Sequence, residues 1–380
     1  MKNSFKVRML TLYLLLFCLL GKVAYASGES FQETQDPMGF DQLMYVSNGN
    51  QSNVLYKVFY LSDDEIWFSF LSDKGNGQLL CYDLNGTLIE TLNINLKGDD
   101  PHILCINHVG DRLIVGYQDD STYRAEVIIL DSQRKEVARK NFGTEVYTIQ
   151  MVTSERGILY AGGIDSKDDM SVFFLSEIDV NGEVVFECRE PVATLEADHG
   201  YVSNSLIYSD GEHHYAMIKN GVKGSLLMEE RLVCFNAGGE KFWETDIAES
   251  FYSNNMAVCD GRIYVVGAEG MRDEYGCLVN QKGRVLCYDQ SSALLWQQSC
   301  TNVEFFYFAV PSKQGCYAIS NIMDSQAYML FADENGMTQK ATWIKLPEDA
   351  VHAFFSLTDM DQLVATGNTS DKLYFGIMAE

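Results

Sequence analysis

Residues 254–301 have the sequence NNMAVCDGRIYVVGAEGMRDEYGCLVNQKGRVLCYDQSSALLWQQSCT, and this segment is the clearest indication of the fold. It contains four short runs of mainly apolar and aromatic residues, separated by turn residues such as Asp260-Gly261 and Ser291-Ser292. Such runs are typical of β-strands and are too short for ordinary helices. The stretch therefore predicts four antiparallel strands in one sheet. A sheet of this kind buries both faces only when further copies pack against it.

Copies of the second strand of this unit recur along the chain. They follow one another at spacings of about 45 to 57 residues, close to the ~40 to 50 residues of a four-stranded propeller blade. The aligned central positions of the seven copies are Trp67, Ile114, Leu159, Ala216, Tyr264, Ala318 and Val364. The repeat predicts an all-β, seven-bladed β-propeller of four-stranded antiparallel blades.

The turn between the third and fourth strands also recurs, but only in six copies, as in CYDLNGTLIE from Cys81 and FADENGMTQ from Phe331. Its Asn-Gly or Gly-Gly pairs supply the positive φ angles of a tight hairpin. The seventh copy ends at its third strand. Residues 41–47, DQLMYVS, precede the first full copy and are predicted to supply the missing fourth strand. An N-terminal strand would thus complete the last blade and leave no open sheet edge.

The first 26 residues predict a secretory signal peptide. They combine basic residues, an apolar run over 9–20 that is too short to span a bilayer, and a small-x-small exit at Ala24-Tyr25-Ala26. A lipoprotein signal with Cys18 as the lipidated residue is the alternative, but Phe17 and Leu19 fit it poorly. The predicted domains are residues 1–26 as signal peptide, 27–39 as a flexible leader and 40–380 as the propeller. We expect cleavage near Ala26 and a secreted, periplasmic or cell-surface product.

The chain is strongly acidic, with 53 Asp and Glu residues against 28 Lys and Arg and a formal net charge of −25. A surface of this sign repels phosphate backbones and anionic lipid headgroups. Nucleic acid and membrane surfaces are therefore disfavoured as partners, and a monomer is expected.

The run GRIYVVG from Gly261, followed by GRVLCYDQSSALLWQ, resembles the repeat of the pyrroloquinoline-quinone-like, or quinoprotein-type, β-propellers. In that repeat a GxVYVG-type strand precedes an Ala-x-Asp-xx-Thr-Gly-xxx-Trp element. Trp243 and Trp296 hold the tryptophan position, Ile89, Val137 and Phe186 are aligned with it elsewhere, and the threonine is missing throughout. The resemblance implies the propeller fold without implying activity, because this fold serves both enzymes and binding proteins.

Ten cysteines are present, and an odd number remains once Cys18 is removed by export. Cys81, Cys234 and Cys287 fall at one repeat position, which predicts small buried residues of the core. Two further pairs, Cys259 with Cys277 and Cys300 with Cys316, are spaced to bridge neighbouring strands, and the sequence does not decide between thiols and disulfides. The disulfide state of Cys105 and Cys188 is equally open.

Twelve residues before the aligned second-strand position, five copies carry an aromatic ring or an imidazole. In a propeller this is the start of each innermost strand, beside the mouth of the central channel, where such side chains can bind a ligand or merely fill the channel. Two long loops are expected at the same face. The candidate binding residues from both sources are His102, Tyr147, Tyr252, Phe306, His352, Asp198, His199, Tyr201, Arg272 and Tyr275.

Acidic pairs on loops of this face are weak candidates for a metal site. They are Asp99, Asp100, Asp119 and Asp120. Oxygen ligands suit calcium, but the regular spacing of a calcium-binding loop is missing, and solvated turn carboxylates are the simpler interpretation. No cofactor is otherwise indicated.

No sequence motif of a known catalytic site occurs, whether GxSxG, HExxH or a P-loop. We therefore expect a binding or assembly module that recognises a protein or glycan partner through its loop-rimmed channel face. The alternative is a propeller hydrolase or oxidoreductase with a metal- or quinone-dependent site at the channel mouth.

Overall fold

The computed structural model describes residues 37–47, 54–62, 65–71, 76–143, 145–164, 171–192, 200–203, 205–222, 228–248, 250–273, 278–358, 360–370 and 372–378. The predicted signal peptide, with Cys18, and most of the predicted leader lie outside these residues. Within them, no helix has the length and apolar character that crossing a membrane requires.

The described strands form seven antiparallel sheets, numbered here as blades from the innermost strand outward. Blades 1 to 3 are β2 (Val54–Ser62), β3 (Glu65–Leu71), β4 (Asn76–Tyr82) and β5 (Leu88–Asn95); β6 (Pro101–Val109), β7 (Arg112–Asp119), β8 (Arg124–Leu130) and β9 (Glu136–Asn141); and β10 (Val146–Thr153), β11 (Gly157–Ile164), β12 (Val172–Asp179) and β13 (Val184–Pro191). Blade 4 has its inner strand divided into β14 (Gly200–Val202) and β15 (Leu206–Ser209), followed by β16 (His213–Val222), β17 (Met228–Asn236) and β18 (Lys241–Asp246).

Blades 5 and 6 are β19 (Phe251–Cys259), β20 (Arg262–Arg272), β21 (Leu278–Asp289) and β22 (Leu294–Cys300); and β23 (Phe308–Ser312), β24 (Gly315–Ile319), β25 (Gln326–Asp333) and β26 (Thr338–Lys345). Blade 7 is β27 (His352–Leu357), β28 (Leu363–Asn368), β29 (Lys372–Met378) and, as its outermost strand, β1 (Phe40–Ser47). The predicted seven-bladed propeller and its closure by the N-terminal strand are both confirmed.

The ring is held by seven hydrophobic cores, one between each pair of neighbouring blades. The last of them joins blade 7 to blade 1, with Val364 and Phe375 packed against Phe68 and Leu80. The middle strands of each blade are buried on both faces, as the burial pattern of β11 shows. Stacking of the blades therefore buries what a single sheet leaves exposed.

The structure corrects the predicted register in two blades by one residue. Trp67 and Tyr264 face the third-strand cysteines Cys81 and Cys287. In blade 4 the residue facing Cys234 is Tyr215 instead of Ala216, and the equivalent position in blade 6 is Tyr317 instead of Ala318. Because these strands are buried on both faces, alternation of apolar and polar residues could not set their register.

The turn between the third and fourth strands is built around an acidic or amide side chain that the sequence pattern did not single out. At Asp289, for example, Oδ1 accepts hydrogen bonds from the backbone N–H groups of Ser291 (2.8 Å) and Ala293 (2.9 Å). The same pair of bonds forms in blades 1 to 4 and 6 at Asp83, Asp131, Asp179, Asn236 and Asp333. One residue of each turn adopts the predicted positive φ: Gly86, Arg134, Gly182, Gly239, Ser292 and Gly336.

The tryptophan position of the repeat joins each blade to the next. The indole N–H of Trp243 donates to the Gln290 carbonyl (2.6 Å), and that of Trp296 donates to the Glu334 carbonyl (3.1 Å), both in the following blade. The register places Glu90 and Ala138 at this position in blades 1 and 2. The alignment of Ile89 and Val137 with the tryptophans was therefore wrong by one residue, and these two side chains are exposed.

The repeated cysteines lie in the cores. Cys81, Cys234 and Cys287 are at most 1% exposed, and burial is the main cause that raises the pKa of each thiol to about 12. Cys300 and Cys316 are not bridged to each other. Cys277, the proposed partner of Cys259, lies outside the described residues.

Because the thiolate is the reactive form, we expect these three cysteines to resist alkylation in the native protein and to react once denaturant is added. Mass spectrometry after iodoacetamide treatment, with and without denaturant, measures this. Rapid modification of all three in the native protein would contradict their burial.

Candidate functional site

Four of the candidate binding residues occupy equivalent places at the start of an innermost strand. Each pairs across the sheet with the equivalent residue of the second strand of its blade, four positions after the aligned one. The pairs are His102 with Gln118, Tyr147 with Gly163, Tyr252 with Ala268 and His352 with Asn368. The inner strands β2, β6, β10, β15, β19, β23 and β27 adjoin one another in that order. The four side chains therefore belong to one end of the propeller, which we call the channel face.

His102 lies between two carboxylates on this face. Its Nε2 atom is 3.2 Å from Asp100 Oδ1 and 3.0 Å from Asp120 Oδ2. The imidazole side chain is 8% exposed, whereas the side chains of Asp100 and Asp120 are 62% and 35% exposed. Among the described residues this is the one group of three metal-ligating side chains whose donor atoms lie within 4.8 Å of one another.

Two segments of chain bring these side chains together. Asp100 is in the loop that leads from blade 1 into β6, and Asp120 follows β7 in the hairpin loop of blade 2. The Asp120 N–H donates to the Asp100 carbonyl (2.8 Å), and the Asp100 N–H donates to Asp119 Oδ1 (3.0 Å). The backbone of one loop is thus fixed to that of the other.

Asp119 holds the loops together, and Asp99 is exposed and outside the group. The Asp119 carboxylate also accepts hydrogen bonds from the hydroxyls of Ser121 (2.8 Å) and Thr122 (2.7 Å). Burial alone would raise the pKa of Asp119, but these hydrogen bonds and that from the Asp100 N–H outweigh it and hold the pKa below its usual value. Asp119 is therefore an ionised part of the framework.

Tyr147 is fixed against the next blade. Its half-buried ring lies over Gly163, where an added Cβ would come within 2.1 Å of the ring, and its hydroxyl donates to the Val202 carbonyl (3.0 Å). On the opposite side of the ring of blades, His352 is exposed, and its Nδ1 lies 2.9 Å from Asn368 Oδ1.

Tyr252 packs against a buried lysine that the sequence analysis missed. The Lys219 ammonium lies 4.2 Å from the centroid of the Tyr252 ring and donates to the Ser253 carbonyl. Burial lowers the pKa of Lys219, and the neighbouring Glu230 carboxylate opposes that shift. Lys219 lies within β16, a strand of mainly apolar residues that is buried on both faces, and that pattern was the available signal that its charge has to be satisfied inside the protein.

The remaining candidates divide into three groups. Phe306 is fully buried in the core between blades 5 and 6, so its ring fills space in that core. The residue before it, Phe305, contacts the Tyr252 ring, with 5.9 Å between the ring centroids. Tyr201 and Arg272 lie in β14 and at the end of β20, with side chains that the structure does not describe. Asp198, His199 and Tyr275 are outside the described residues.

A second titratable cluster lies at the opposite end of the blades. Glu177 forms an ion pair with Arg156, in which Oε2 lies 3.0 Å from the guanidinium nitrogen. The same oxygen is 4.0 Å from His214 Nε2. Burial raises the pKa of Glu177 and lowers that of His214 to about 4. His214 packs on the Phe186 ring (4.9 Å), so this neutral imidazole is part of the core between blades 3 and 4.

Solved structures with a similar fold are β-propellers. Hydrazine synthase from Kuenenia stuttgartiensis has a TM-score of 0.54 and 12% identity, over 93% of this chain and 99% of that one. The β-propeller domain of the Trilobed protease from Pyrococcus furiosus has a TM-score of 0.48 and 11% identity, over 85% and 93%. The fold of this chain is similar to that of the hydrazine synthase structure. Identities this low carry no information about activity. No protein-family model matches the chain, and no curated protein matches it in sequence.

Proposed function

We propose that this chain is an extracytoplasmic, monomeric propeller that binds a protein or glycan partner at its channel face, and that it is a non-catalytic relative of the quinoprotein-type propellers. The observation that carries the proposal is the gathering of His102, Tyr147, Tyr252 and His352 at equivalent strand starts on one face. Rings with polar tips that are already fixed by packing lose little conformational entropy on binding, which suits them to recognition.

The negative charge of the protein limits the chemical class of the partner. The side chains of Asp100 and Asp120 add exposed carboxylate to this face of a protein whose net charge is −25. Opposite charge on the partner would speed association, and anionic polymers would be repelled. A neutral glycan or a basic protein segment therefore fits the face better than a nucleic acid or an anionic membrane does.

Replacement of both His102 and His352 by Ala is expected to weaken capture of the partner by at least tenfold, because it removes two polar rings of this face, from the blades on either side of blade 1. Binding of the purified protein to a glycan array and to a library of basic peptides measures this. His213→Ala is the matched control, since this imidazole lies at the opposite end of blade 4. Unchanged binding by the double variant, or equal loss in His213→Ala, would remove the channel face from the proposal.

A second candidate, a hydrolase or oxidoreductase with a metal- or quinone-dependent site on the same face, is favoured by one observation. Asp100 and His102, from the segment that leads into and begins β6, converge with Asp120 of a hairpin loop, and convergent titratable groups in one place are typical of reactive sites. Turnover of ester or phosphoester substrates that is lost in the same double variant would favour the enzyme over the binding module.

A further inference from the structure

We propose that Asp100, His102 and Asp120 bind one divalent ion of the first transition series, of the Zn²⁺ or Mn²⁺ class. The inference does not depend on the identity of the partner or on whether the protein is an enzyme. It assigns to this end of the propeller a site whose ligand is an inorganic cation.

The spacing of the donor atoms fits such an ion. Zinc lies ~2.0 to 2.2 Å from imidazole nitrogen and carboxylate oxygen in a tetrahedral site, which places neighbouring ligand atoms about 3.3 Å apart. The two measured separations from His102 Nε2 are 3.2 Å to Asp100 and 3.0 Å to Asp120. The separation of the two carboxylate oxygens from each other is at most 4.8 Å. Asp100, with its exposed side chain, can adjust this separation to that of a bound ion.

The donor set selects the class of metal. Calcium and magnesium prefer oxygen ligands throughout, whereas an imidazole nitrogen beside two carboxylates suits zinc, manganese and their neighbours in the series. Calcium, the ion that the acidic pairs suggested in the sequence, is therefore less suitable than zinc or manganese. Three protein side chains leave at least one coordination position for water or another small molecule, as in catalytic zinc sites.

His102 and Asp120 are held in place before any ion arrives. His102 follows Pro101 at the start of β6 and pairs with Gln118 across the sheet. The Gln118 amide donates to Asp120 Oδ1, leaving Oδ2 directed at the imidazole. Hydrogen bonds from outer-shell groups of this kind orient metal ligands and raise metal affinity.

The competing explanation is an imidazolium ion held between two carboxylates. Nε2 carries at most one proton whether the imidazole is neutral or protonated, so it cannot donate equally well to both carboxylates, at 3.0 and 3.2 Å. A divalent ion accepts all three donors at once and also neutralises two like charges in an already acidic protein. The two explanations differ in one measurable property, the affinity for metal.

The test is a titration of the chelator-treated, full mature protein with Co²⁺, followed by competition with Zn²⁺ and Mn²⁺. We expect one ion per chain and visible absorption bands of a protein-bound Co²⁺ ion, with calorimetry confirming the stoichiometry. Asp120→Asn and His102→Ala should each weaken binding by more than about 100-fold, since loss of even an outer-shell partner costs about 10- to 100-fold. Gln118→Leu should weaken it by about tenfold.

Asp99→Asn is the matched control, because it removes the same charge from the neighbouring residue of the same loop, outside the ligand group. Asp100→Asn guards against misfolding, since this exposed ligand can be changed without disturbing the core, and thermal unfolding monitors all variants. No stoichiometric Co²⁺ binding by the unchanged protein, or equal weakening by Asp99→Asn, would overturn the site. Metal binding without partner capture would leave this inference standing and contradict only the proposed function.

Discussion

Deletion of residues 27–47 is expected to abolish cooperative folding, or to lower the free energy of unfolding by several kcal/mol. The deletion removes β1, which pairs with β29 from Phe40 opposite Met378 to Ser47 opposite Lys372. It also removes Phe40 and Leu43 from the core between blades 6 and 7 and Met44 from the core between blades 7 and 1. A large apolar side chain returned to water costs ~1.5 to 3 kcal/mol when it is fully buried and less for these three, which are partly buried, and the edge of β29 is left unpaired.

Urea and thermal denaturation, followed by circular dichroism, measure this effect relative to a purified protein of residues 27–380. Deletion of residues 27–36 alone is the control, because it retains β1 and the backbone hydrogen bonds that tie Met38 to blade 6. The short deletion should unfold like the protein of residues 27–380. If the long deletion also unfolds like that protein, the N-terminal strand does not hold the ring closed.

The number of blades and the closing strand were predictable from the sequence because they depend on long-period features. The recurrence of a second-strand motif and the missing fourth strand of the last copy do not require knowledge of which residue faces which. Register does require it, and here the prediction failed at Tyr215 and Tyr317. Both faces of these strands are buried and apolar, so a shift of the alignment by one residue leaves the hydrophobic pattern unchanged.

The candidate site was predictable in its parts but not in its assembly. His102 was selected for its place at a strand start, and Asp100 and Asp120 were selected as members of acidic pairs. Their convergence depends on the contact between an interblade loop and a hairpin loop. That contact is set by the hydrogen bonds from the Asp100 N–H to the Asp119 carboxylate and from the Asp120 N–H to the Asp100 carbonyl. Those bonds leave no periodic signal in the sequence.

The resemblance to the quinoprotein-type repeat rested mainly on tryptophans, and the structure gives them a physical role. A Cβ added at Gly336 would lie 2.7 Å from the Trp296 ring, and one at Gly239 would lie 2.4 Å from Phe186, so a large ring packs on the turn glycine of the following blade. Blade 1 uses a different contact. There Glu90 forms an ion pair with Arg134 of the next turn (2.9 Å), which preserves the link between blades without an aromatic ring.

Trp296→Ala is accordingly expected to lower the free energy of unfolding by about 3 to 5 kcal/mol, the usual cost of removing a buried large aromatic ring. Trp296 is 4% exposed and packs in the core between blades 5 and 6. The substitution also removes the hydrogen bond from its indole N–H to the Glu334 carbonyl. Leu295→Ala, at the adjacent exposed position, should cost less than about 0.5 kcal/mol. Urea denaturation of the two variants gives the comparison.

A double-mutant cycle with Gly336→Ala separates packing from backbone strain. In the unchanged protein this substitution should cost more than about 1 kcal/mol, because Gly336 has a φ of +79° and its new Cβ would collide with the indole. After Trp296→Ala the collision is gone and only the strain of the left-handed backbone remains. The two substitutions should therefore cost less together than the sum of their separate costs, by about 0.5 to 3 kcal/mol. Strict additivity would show that the indole does not press on the turn of blade 6, and the contact between tryptophan and glycine would then not be what joins these blades.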